Sequence, residues 1–320
     1  MSEDFLDNDL KRVDKERSER ETRPTATAAT YPVVGALVKA EDMPGMGTNR
    51  KWHPVNPQQE SLINNVFPLA RDEVGSIPEI ESVASHSATE INAFLKERGF
   101  DIKLNEIEPG NFGAASVLDL LVEWEQKGQA IKLKTSKGEY DGVSIDKKGV
   151  RIRNSRAHRS PVAELATKSG DQVFMTILDN PPLQDGDLVD LAQRIQKGLD
   201  WEPVKYDGLM FPMVDLNQQV DISWLQGLST TGEDGRPAVI SKAIQQNILK
   251  MNETGAQAKS AVAVMALRGF DFPKPPMVID RPFMVWFARK GLSQPLFVGY
   301  IKEDAWKNPG EISVTSSETK

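Results

Sequence analysis

The stretch "SKAIQQNILKMNETG" (241–255), followed by "AQAKSAVAVMALRG" (256–269), decides the fold of this 320-residue chain. The first part extends the β-rich run that begins at 237 and predicts a strand. The second part holds mostly small residues, with no aromatic and no acid. It can stay in water as a loop, yet enter a sheet between two strands without a steric clash. In a strand, successive side chains face opposite sides. One face would be small and mostly apolar and the other would begin polar: Ala256, Ala258, Ser260, Val262 and Val264 against Gln257, Lys259, Ala261, Ala263 and Met265.

Strand patterns dominate the chain on both sides of this stretch. The segment "RPFMVWFARKGLSQPLFVGYI" (281–301) predicts a β-hairpin that is buried on both faces. One amphipathic helix is predicted at 188–199, and a further strand segment at 208–216. Before the predicted helix, the chain contains short β-rich runs that are separated by Gly, Ser and Lys. These runs are "AIKLKT", "GVSI", "GVRIRN", "SPVAEL" and "DQVFMTIL".

Helices are predicted mainly before residue 130. Ser87 and Glu90 have the spacing of a capping box. The helix that they begin should end at Gly99, because glycine adopts the left-handed capping conformation at little energetic cost. The alternation in 100–107 predicts a half-buried strand, and the apolar spacing in 114–128 predicts a second helix. The segment "YPVVGALV" (31–38) is interpreted as a short strand.

The N-terminal region is predicted to be an arm. Residues 1–30 mix acids and bases around few apolar side chains, too few to offset the entropy of ordering. We therefore divide the chain into a polar arm and loop at 1–60, a globular domain at 61–310 and a polar tail at 311–320. The arm is expected to be disordered, or ordered only against a partner. The arm should contribute nothing to the core.

Composition narrows the class of protein. A formal charge of −7 leaves no surplus of cations to displace phosphate counterions, which argues against a nucleic-acid partner. The absence of cysteine excludes disulfides and thiolate chemistry. No apolar run has the length of a membrane span or the form of a signal peptide, so no membrane partner is expected. The expected location is the cytoplasm or the inside of a larger particle.

The sequence predicts no enzyme. His53, His86 and His158 are its only histidines, and none lies near another, which argues against a metal site or a local Ser-His-Asp triad. The motif "GMG" (45–47) lacks the third glycine of a dinucleotide loop, and no phosphate-binding loop is present. We expect no cofactor, no metal and no catalytic residue.

Three motifs in the C-terminal half resemble the serpin family, the serine protease inhibitor fold. The stretch 241–255 resembles the family's hinge, a Ser-Lys-Ala-Ile/Val strand followed by Asp/Asn-Glu-x-Gly, with Asn252, Glu253 and Gly255 in those places. Farther on, "DRPFMVWF" (280–287) resembles the family's Arg/Lys-Pro-Phe strand. That signature falls on Arg281, Pro282 and Phe283, and "LFVGYI" (296–301) resembles the closing strand.

The resemblance implies a trimmed serpin-like fold of class α+β, with mainly antiparallel sheets, a few N-terminal helices and an exposed reactive-type loop at 256–276. In that family a protease cleaves the loop, whose hinge end then inserts into the main sheet and drags the acylated protease along. The hinge residues implied are Glu253, Gly255, Ala256, Ala258 and Ser260.

The resemblance places the cleaved bond within 267–271. Arg268 is the only basic residue there and suits a specificity pocket floored by a carboxylate, which favours the Arg268–Gly269 bond. Leu267 and Phe270 would suit an apolar pocket instead, and the simplest alternative is that Arg268 is a solvated loop residue.

Two functions stay open at this point, both with a protein partner. The first is a suicide-substrate inhibitor of a serine protease acting through 256–276. The second is a non-inhibitory structural or assembly protein with the same fold, which docks through its N-terminal arm, for example as a component of a larger particle.

Overall fold

Three β-sheets and a small set of short helices make up the part of the chain that the structure describes. This computed structural model describes residues 15, 18–20, 22–48, 50–100, 104–121, 123–254 and 274–311. The predicted α+β class with antiparallel-rich sheets is confirmed. None of the helices in these ranges is long and apolar enough to cross a membrane.

The strands carry most of the structure, and their bounds are β1 (Ala26–Ala28), β2 (Ile80–Ser85), β3 (Phe112–Leu121), β4 (Gln129–Thr135), β5 (Gly138–Asp146), β6 (Val150–Ser155), β7 (His158–Ala166), β8 (Gln172–Ile177), β9 (Leu199–Pro203), β10 (Gly208–Pro212), β11 (Val214–Val220), β12 (Ser229–Thr231), β13 (Pro237–Met251), β14 (Met277–Val278), β15 (Phe283–Ala288) and β16 (Phe297–Ile301). The helices are α1 (Thr30–Glu41), α2 (Pro57–Ser61), α3 (Phe67–Glu73), α4 (Ala88–Glu97) and α5 (Gly186–Lys197), with a π-helical turn at Leu62–Val66 and 3-10 turns at Val74–Ser76, Ser223–Leu225 and Glu303–Ala305.

The three sheets differ in strand order and direction. The main sheet has the order β11-β13-β3-β2, with β12 beside the first part of β13. The back sheet has the order β1-β16-β15-β8-β7-β6-β9 and is antiparallel throughout. The small sheet has the order β14-β10-β5-β4. The β15–β16 hairpin predicted at 281–301 therefore forms, and it lies inside the back sheet rather than at its edge.

The core lies between the sheets, and two helices extend it outward. The largest apolar cluster fills the space between the inner faces of the sheets and α1. Helix α5, predicted from its periodicity, covers the far face of the back sheet with Leu188, Ala192 and Ile195. Helix α4 covers the outer face of the main sheet with Ile91 and Leu95.

The predicted start of α4 is confirmed in detail. The Ser87 side chain accepts a hydrogen bond from the Glu90 backbone N–H, and Gly99 follows the helix with a φ of 80°. The Glu90 carboxylate is held by the Ser85 hydroxyl, which also accepts from the Ser87 N–H, so the reciprocal half of the capping box passes through Ser85.

Two predicted elements are wrong in type. The helix predicted at 114–128 is strand β3, because β2 and β13 pair with it on both sides and both of its faces are buried. The strand predicted at 31–38 is helix α1, which has Pro32 in its first turn and is buried along most of its length. Uniform burial removes the one-sided periodicity that separates helix from strand.

The strand predicted at 100–107 is also wrong in its described part. Residues 104–107 lie outside any strand, and Leu104 packs with Phe100 and α4 over the main sheet.

The predicted arm includes residues that belong to the fold. Strand β1 pairs with β16, and Ala26, Ala28 and Ala29 lie in the apolar clusters. The expectation that 1–30 contributes no core is therefore wrong for Thr25, Ala26, Thr27, Ala28 and Ala29, which are buried. The tail predicted at 311–320 lies outside the described residues after 311.

Candidate functional site

The predicted hinge begins where β13 ends, and a compact turn holds this exit. The Asn252 Oδ1 atom accepts hydrogen bonds from the Thr254 N–H at 3.0 Å and from its hydroxyl at 2.9 Å. The Asn252 Nδ2 atom donates to the Gly310 carbonyl at 3.0 Å. Asn252 and Thr254 are both buried, so this Asx-type turn fixes the direction in which the chain leaves the sheet.

A second set of contacts holds the same turn from the side of the small sheet. The Trp124 indole N–H donates to the Asn252 carbonyl at 2.8 Å, and the Gly128 N–H donates to the Glu253 carbonyl at 2.8 Å. Trp124 is 1% exposed and packs edge-to-face on Phe211 at 5.8 Å. The turn is thus anchored through backbone carbonyls, and the Glu253 side chain stays half-exposed.

The neighbour of β13 on one side is parallel to it, which is unusual in this molecule. β13 and β3 run side by side from Ile240 opposite Phe112 to Lys250 opposite Leu121, with a bulge near Ile240. A chain that turned back after Met251 and entered between them would be antiparallel to both strands. We call this β3–β13 boundary the seam.

Several polar atoms along the seam have no hydrogen-bond partner in the described chain. Gln245 lies opposite Ser116, and the Gln245 Oε1, Ser116 Oγ and Gln246 Oε1 atoms are all buried and unpaired. A buried polar atom without a partner costs about 1–3 kcal/mol. The seam is therefore less stable than its backbone ladder alone would suggest.

Other polar side chains tie β13 to the back sheet. The Gln245 Nε2 atom donates to the Ala29 carbonyl at 3.2 Å, and Asn247 Nδ2 donates to the Thr27 hydroxyl at 3.0 Å. Thr27 in turn donates to Gln218 Oε1 on β11 at 3.0 Å. This network fixes the position of β13 and of β1 relative to each other.

The structure places only part of the predicted site. Of the hinge residues, Glu253 lies at the anchored turn, whereas Gly255, Ala256, Ala258 and Ser260 lie outside the described residues. The bond candidates Arg268, Gly269 and Phe270 also lie outside them.

The signature residues at 281–283 lie at the start of β15 in the back sheet and not at the predicted hinge. Phe283 is fully buried, with its ring 6.3 Å from that of Trp306. The Pro282 carbonyl accepts from the Leu178 N–H at 3.0 Å, and Arg281 binds the Asp179 carboxylate at 2.9 Å. These three residues join β8 to β15 and have a structural role.

Two residues that anchor the turn at the predicted hinge, Trp124 and Gly310, could not be found from the sequence. Trp124 was assigned to a helix, and nothing local in the sequence points from it to Asn252, 128 residues away. Gly310 is similarly distant in sequence. The Asn-x-Thr spacing at 252–254, by contrast, is typical of an Asx turn and was a usable signal.

No metal or triad chemistry is assembled in the described part of the chain. His86 and His158 each bind a backbone carbonyl at 2.8 Å, those of Asn111 and Ile177. The described residues contain no cluster of three histidine or acidic side chains that could hold a metal ion.

Comparison with solved structures identifies the fold. The chain is similar to the mosquito protein SRPN18 from Anopheles gambiae, with a TM-score of 0.58 and 13% identity over 92% of this chain and 96% of that one. It is also similar to mouse protein-Z dependent protease inhibitor, with a TM-score of 0.52 and 13% identity over 89% and 92% of the two chains. The sequence profile described as "Serpin (serine protease inhibitor)" matches residues 216–303. The chain has a divergent serpin fold.

The serpin fold does not by itself specify what this chain does. Human thyroxine-binding globulin complexed with thyroxine is similar to the same degree, with a TM-score of 0.52 and 13% identity over 87% of this chain and 92% of that one. Among curated protein sequences, no match to the chain is found. At these identities the neighbours establish the serpin fold alone.

Proposed function

We propose that this serpin-fold protein is a suicide-substrate inhibitor of a serine protease, acting through the loop 256–276. The observation that supports this most strongly is the parallel seam. The loop follows the end of β13. Among the described strands of the main sheet, β13 pairs in parallel with β3, so a strand returning from the predicted hinge between them would have antiparallel partners on both sides.

The size of the seam fits the small-residue segment. Strand β3 is ten residues long, which corresponds to about 33 Å. The segment 256–265 is also ten residues long, and its small side chains would enter without steric clash. Burying five apolar or small side chains would contribute several kcal/mol, at about 25 cal/mol per Å². Insertion would also pair backbone groups on both edges of the new strand.

The proposed bond is Arg268–Gly269. The protease serine Oγ bonds to the Arg268 carbonyl carbon, the peptide C–N bond breaks, and Gly269 leaves as a protonated amine. Insertion then carries the acyl-protease away before water can hydrolyse the ester. The anchored turn at Asn252–Thr254 sets the start of the inserted strand.

Incubation with trypsin tests the proposal. We expect a complex that survives SDS, with a mass equal to that of the two proteins less the C-terminal fragment. Arg268→Ala should abolish it with trypsin-like enzymes. Ala258→Arg should instead turn inhibitor into substrate, because a long cation cannot enter the sheet. Cleavage of the wild-type loop without any complex would contradict inhibition and favour a non-inhibitory structural or assembly role.

A further inference from the structure

A groove crosses the outer face of the back sheet beside the end of α5. Two adjoining cavities of about 1170 and 470 Å³ form it, and Ala166 and Gln172 line both of them. The register of the sheet makes its floor, because Ala288 on β15 lies opposite Gln172 on β8, which lies opposite Ala166 on β7. Ala166 and Gln172 are exposed, so α5 leaves this row of the sheet uncovered. We call this feature the back-sheet groove.

The back-sheet groove is positively charged. Seven lysine and arginine side chains line the two cavities, against three acidic side chains. Two of the acids are already paired, Asp171 with Arg289 at 2.6 Å and Glu164 with Arg153. A chain with a formal charge of −7 therefore gathers positive charge at this place.

Four of the lining cations have no partner in the described chain. Lys197 and Lys290 line the larger cavity, and Lys148 and Arg151 line the smaller one. All four are exposed, and none of their side chains makes a hydrogen bond or an ion pair with a described residue. The other three lining cations are paired with carboxylates. An anionic ligand would therefore gain contacts at the four unpaired positions without breaking existing ones.

The spacing of these four cations suits an extended chain. Strands β15 and β6 are three positions apart in the back sheet, which corresponds to about 14 Å. Lys290 follows β15 and Arg151 lies in β6, so they mark the two ends of the groove. About five residues of an extended peptide cover this length, at about 3.3 Å each. The groove therefore fits a short acidic peptide.

The chain itself contains an acidic segment of this kind, "MSEDFLDNDL" (1–10), which lies outside the described residues. It holds Glu3, Asp4, Asp7 and Asp9 and no lysine, arginine or histidine. Its four carboxylates match the four unpaired cations in number and in sign.

The described part of the chain brings this segment within reach of the groove. Arg23, 7% exposed, is fixed beside the start of α5 by its ion pair with Asp185 at 2.5 Å. Helix α5 has 12 residues and is about 18 Å long, and the groove lies at its other end. Residue 10 is thirteen positions before Arg23. That length of chain spans about 20 Å at the rise of a helix and more when extended.

We propose that the back-sheet groove binds the acidic segment 1–10 of the same chain, with its carboxylates on Lys148, Arg151, Lys197 and Lys290. Each exposed contact is weak, but the covalent link holds the segment at an effective concentration of about 1 mM, so that weak contacts suffice. The contact uses neither the loop 256–276 nor the seam and is independent of the proposed inhibition.

The test uses the absence of cysteine from the chain. Ser2→Cys provides a single thiol for a nitroxide spin label on the full chain, and amide signals are compared before and after chemical reduction of the label. At about 0.01 M salt we expect broadening of the amide signals at 166–172, 193–198 and 288–291. At about 1 M salt the broadening should disappear, because the Debye length falls from about 30 Å to about 3 Å.

Matched charge variants assign the contact. The groove variant combines four substitutions of exposed side chains: Lys148→Gln, Arg151→Gln, Lys197→Gln and Lys290→Gln. The control variant removes the same charge from exposed positions that do not line the groove: Lys51→Gln, Lys96→Gln, Lys134→Gln and Lys307→Gln. The ratio of bound to free segment should fall about tenfold in the groove variant, as expected for four exposed charge contacts, and should stay within about twofold in the control.

Three results would overturn the proposal. One is the absence of broadening at these amides at about 0.01 M salt. Another is an equal loss of broadening in the groove and control variants, which would show a response to net charge alone. The third comes from mixing spin-labelled chain with isotope-labelled chain that carries no spin label: broadening as strong in the mixture would place the segment on a second copy.

Discussion

Two buried tryptophans differ in what their indole N–H groups contact. Trp124 donates to the Asn252 carbonyl at the hinge, whereas the Trp306 N–H is buried without a partner in the described chain. Trp306 packs instead on the rings of Tyr140 and Phe283. The same substitution at the two positions therefore separates loss of a hydrogen bond from loss of ring size.

We predict that Trp124→Phe lowers the free energy of unfolding by about 1–3 kcal/mol more than Trp306→Phe does, because it leaves the buried Asn252 carbonyl unpaired. It should also speed proteolysis in the loop, since the turn loses an anchor. Urea unfolding and a timed trypsin digest measure the two effects. Equal changes in both variants would show that the indole N–H does not hold the hinge.

A tyrosine in the core joins three elements and carries a pH dependence. The Tyr31 hydroxyl on α1 donates to the Glu73 carboxylate at the end of α3 and accepts from the Gln294 N–H at 3.2 Å. Burial and the bond to Glu73 raise the pKa of Tyr31 to about 12. Burial and the charge of Glu303 raise the pKa of Tyr300 to about 12 as well.

Since unfolded tyrosine titrates near pH 10, each of these groups stabilises the fold fully below about pH 10. That contribution is lost as the pH rises from about 10 to 12. We predict that Tyr31→Phe and Tyr300→Phe each reduce the slope of stability against pH in that window by up to about 1.4 kcal/mol per pH unit. Only Tyr31→Phe should also lose stability at pH 7, because it leaves Gln294 unpaired. An unchanged alkaline slope in both variants would refute the assignment.

At the scale of elements, α4 lies across the outer face of the seam. Leu95 belongs to the cluster that includes Ala115 of β3 and Ile244 of β13, which lie opposite each other. Ile244 is six residues before Lys250, where the described pairing of the seam ends. About six residues of an inserting strand could therefore enter the seam before the strand reached the part covered by α4. Further insertion would require α4 to move.

We predict that Leu95→Ala raises the ratio of trypsin complex to cleaved inhibitor. With weaker packing of α4 on the main sheet, insertion would finish before the ester is hydrolysed. The matched control is Leu188→Ala in α5, equally buried but on the back sheet. Both changes should destabilise by about 2–5 kcal/mol. The same complex-to-cleaved ratio in both variants would show that α4 does not limit insertion.

The elements also show which parts of the fold can be predicted from sequence patterns and which cannot. Strand β13, the β15–β16 hairpin and α5 could be predicted because alternation, a signature or one-sided periodicity marks them. β3 and α1 could not, since each is buried on most sides and its apolar residues lose their period. Glu253, a predicted hinge residue, lies in the turn after β13, but the contact of Trp124 with this turn forms only once the sheets bring distant segments together.

At the scale of the whole molecule, β13 connects the main sheet, the back sheet and the turn before the loop. It lies inside the main sheet, its side chains reach β1 of the back sheet, and its end holds the turn before the loop. A change in the seam would alter the packing of all three sheets and would appear as a change in global stability. Loop cleavage is the simplest way to allow that change without a substitution.

The melting temperature before and after a single cut in the loop is the most direct measurement. Limited trypsinolysis, with mass spectrometry to place the cut after Arg268, yields the cleaved form. We predict that the cleaved protein melts at least about 10 °C higher, since insertion would add several kcal/mol and each kcal/mol raises the melting temperature by a few degrees. An unchanged or lower melting temperature after a verified cut at Arg268 would contradict insertion into the seam.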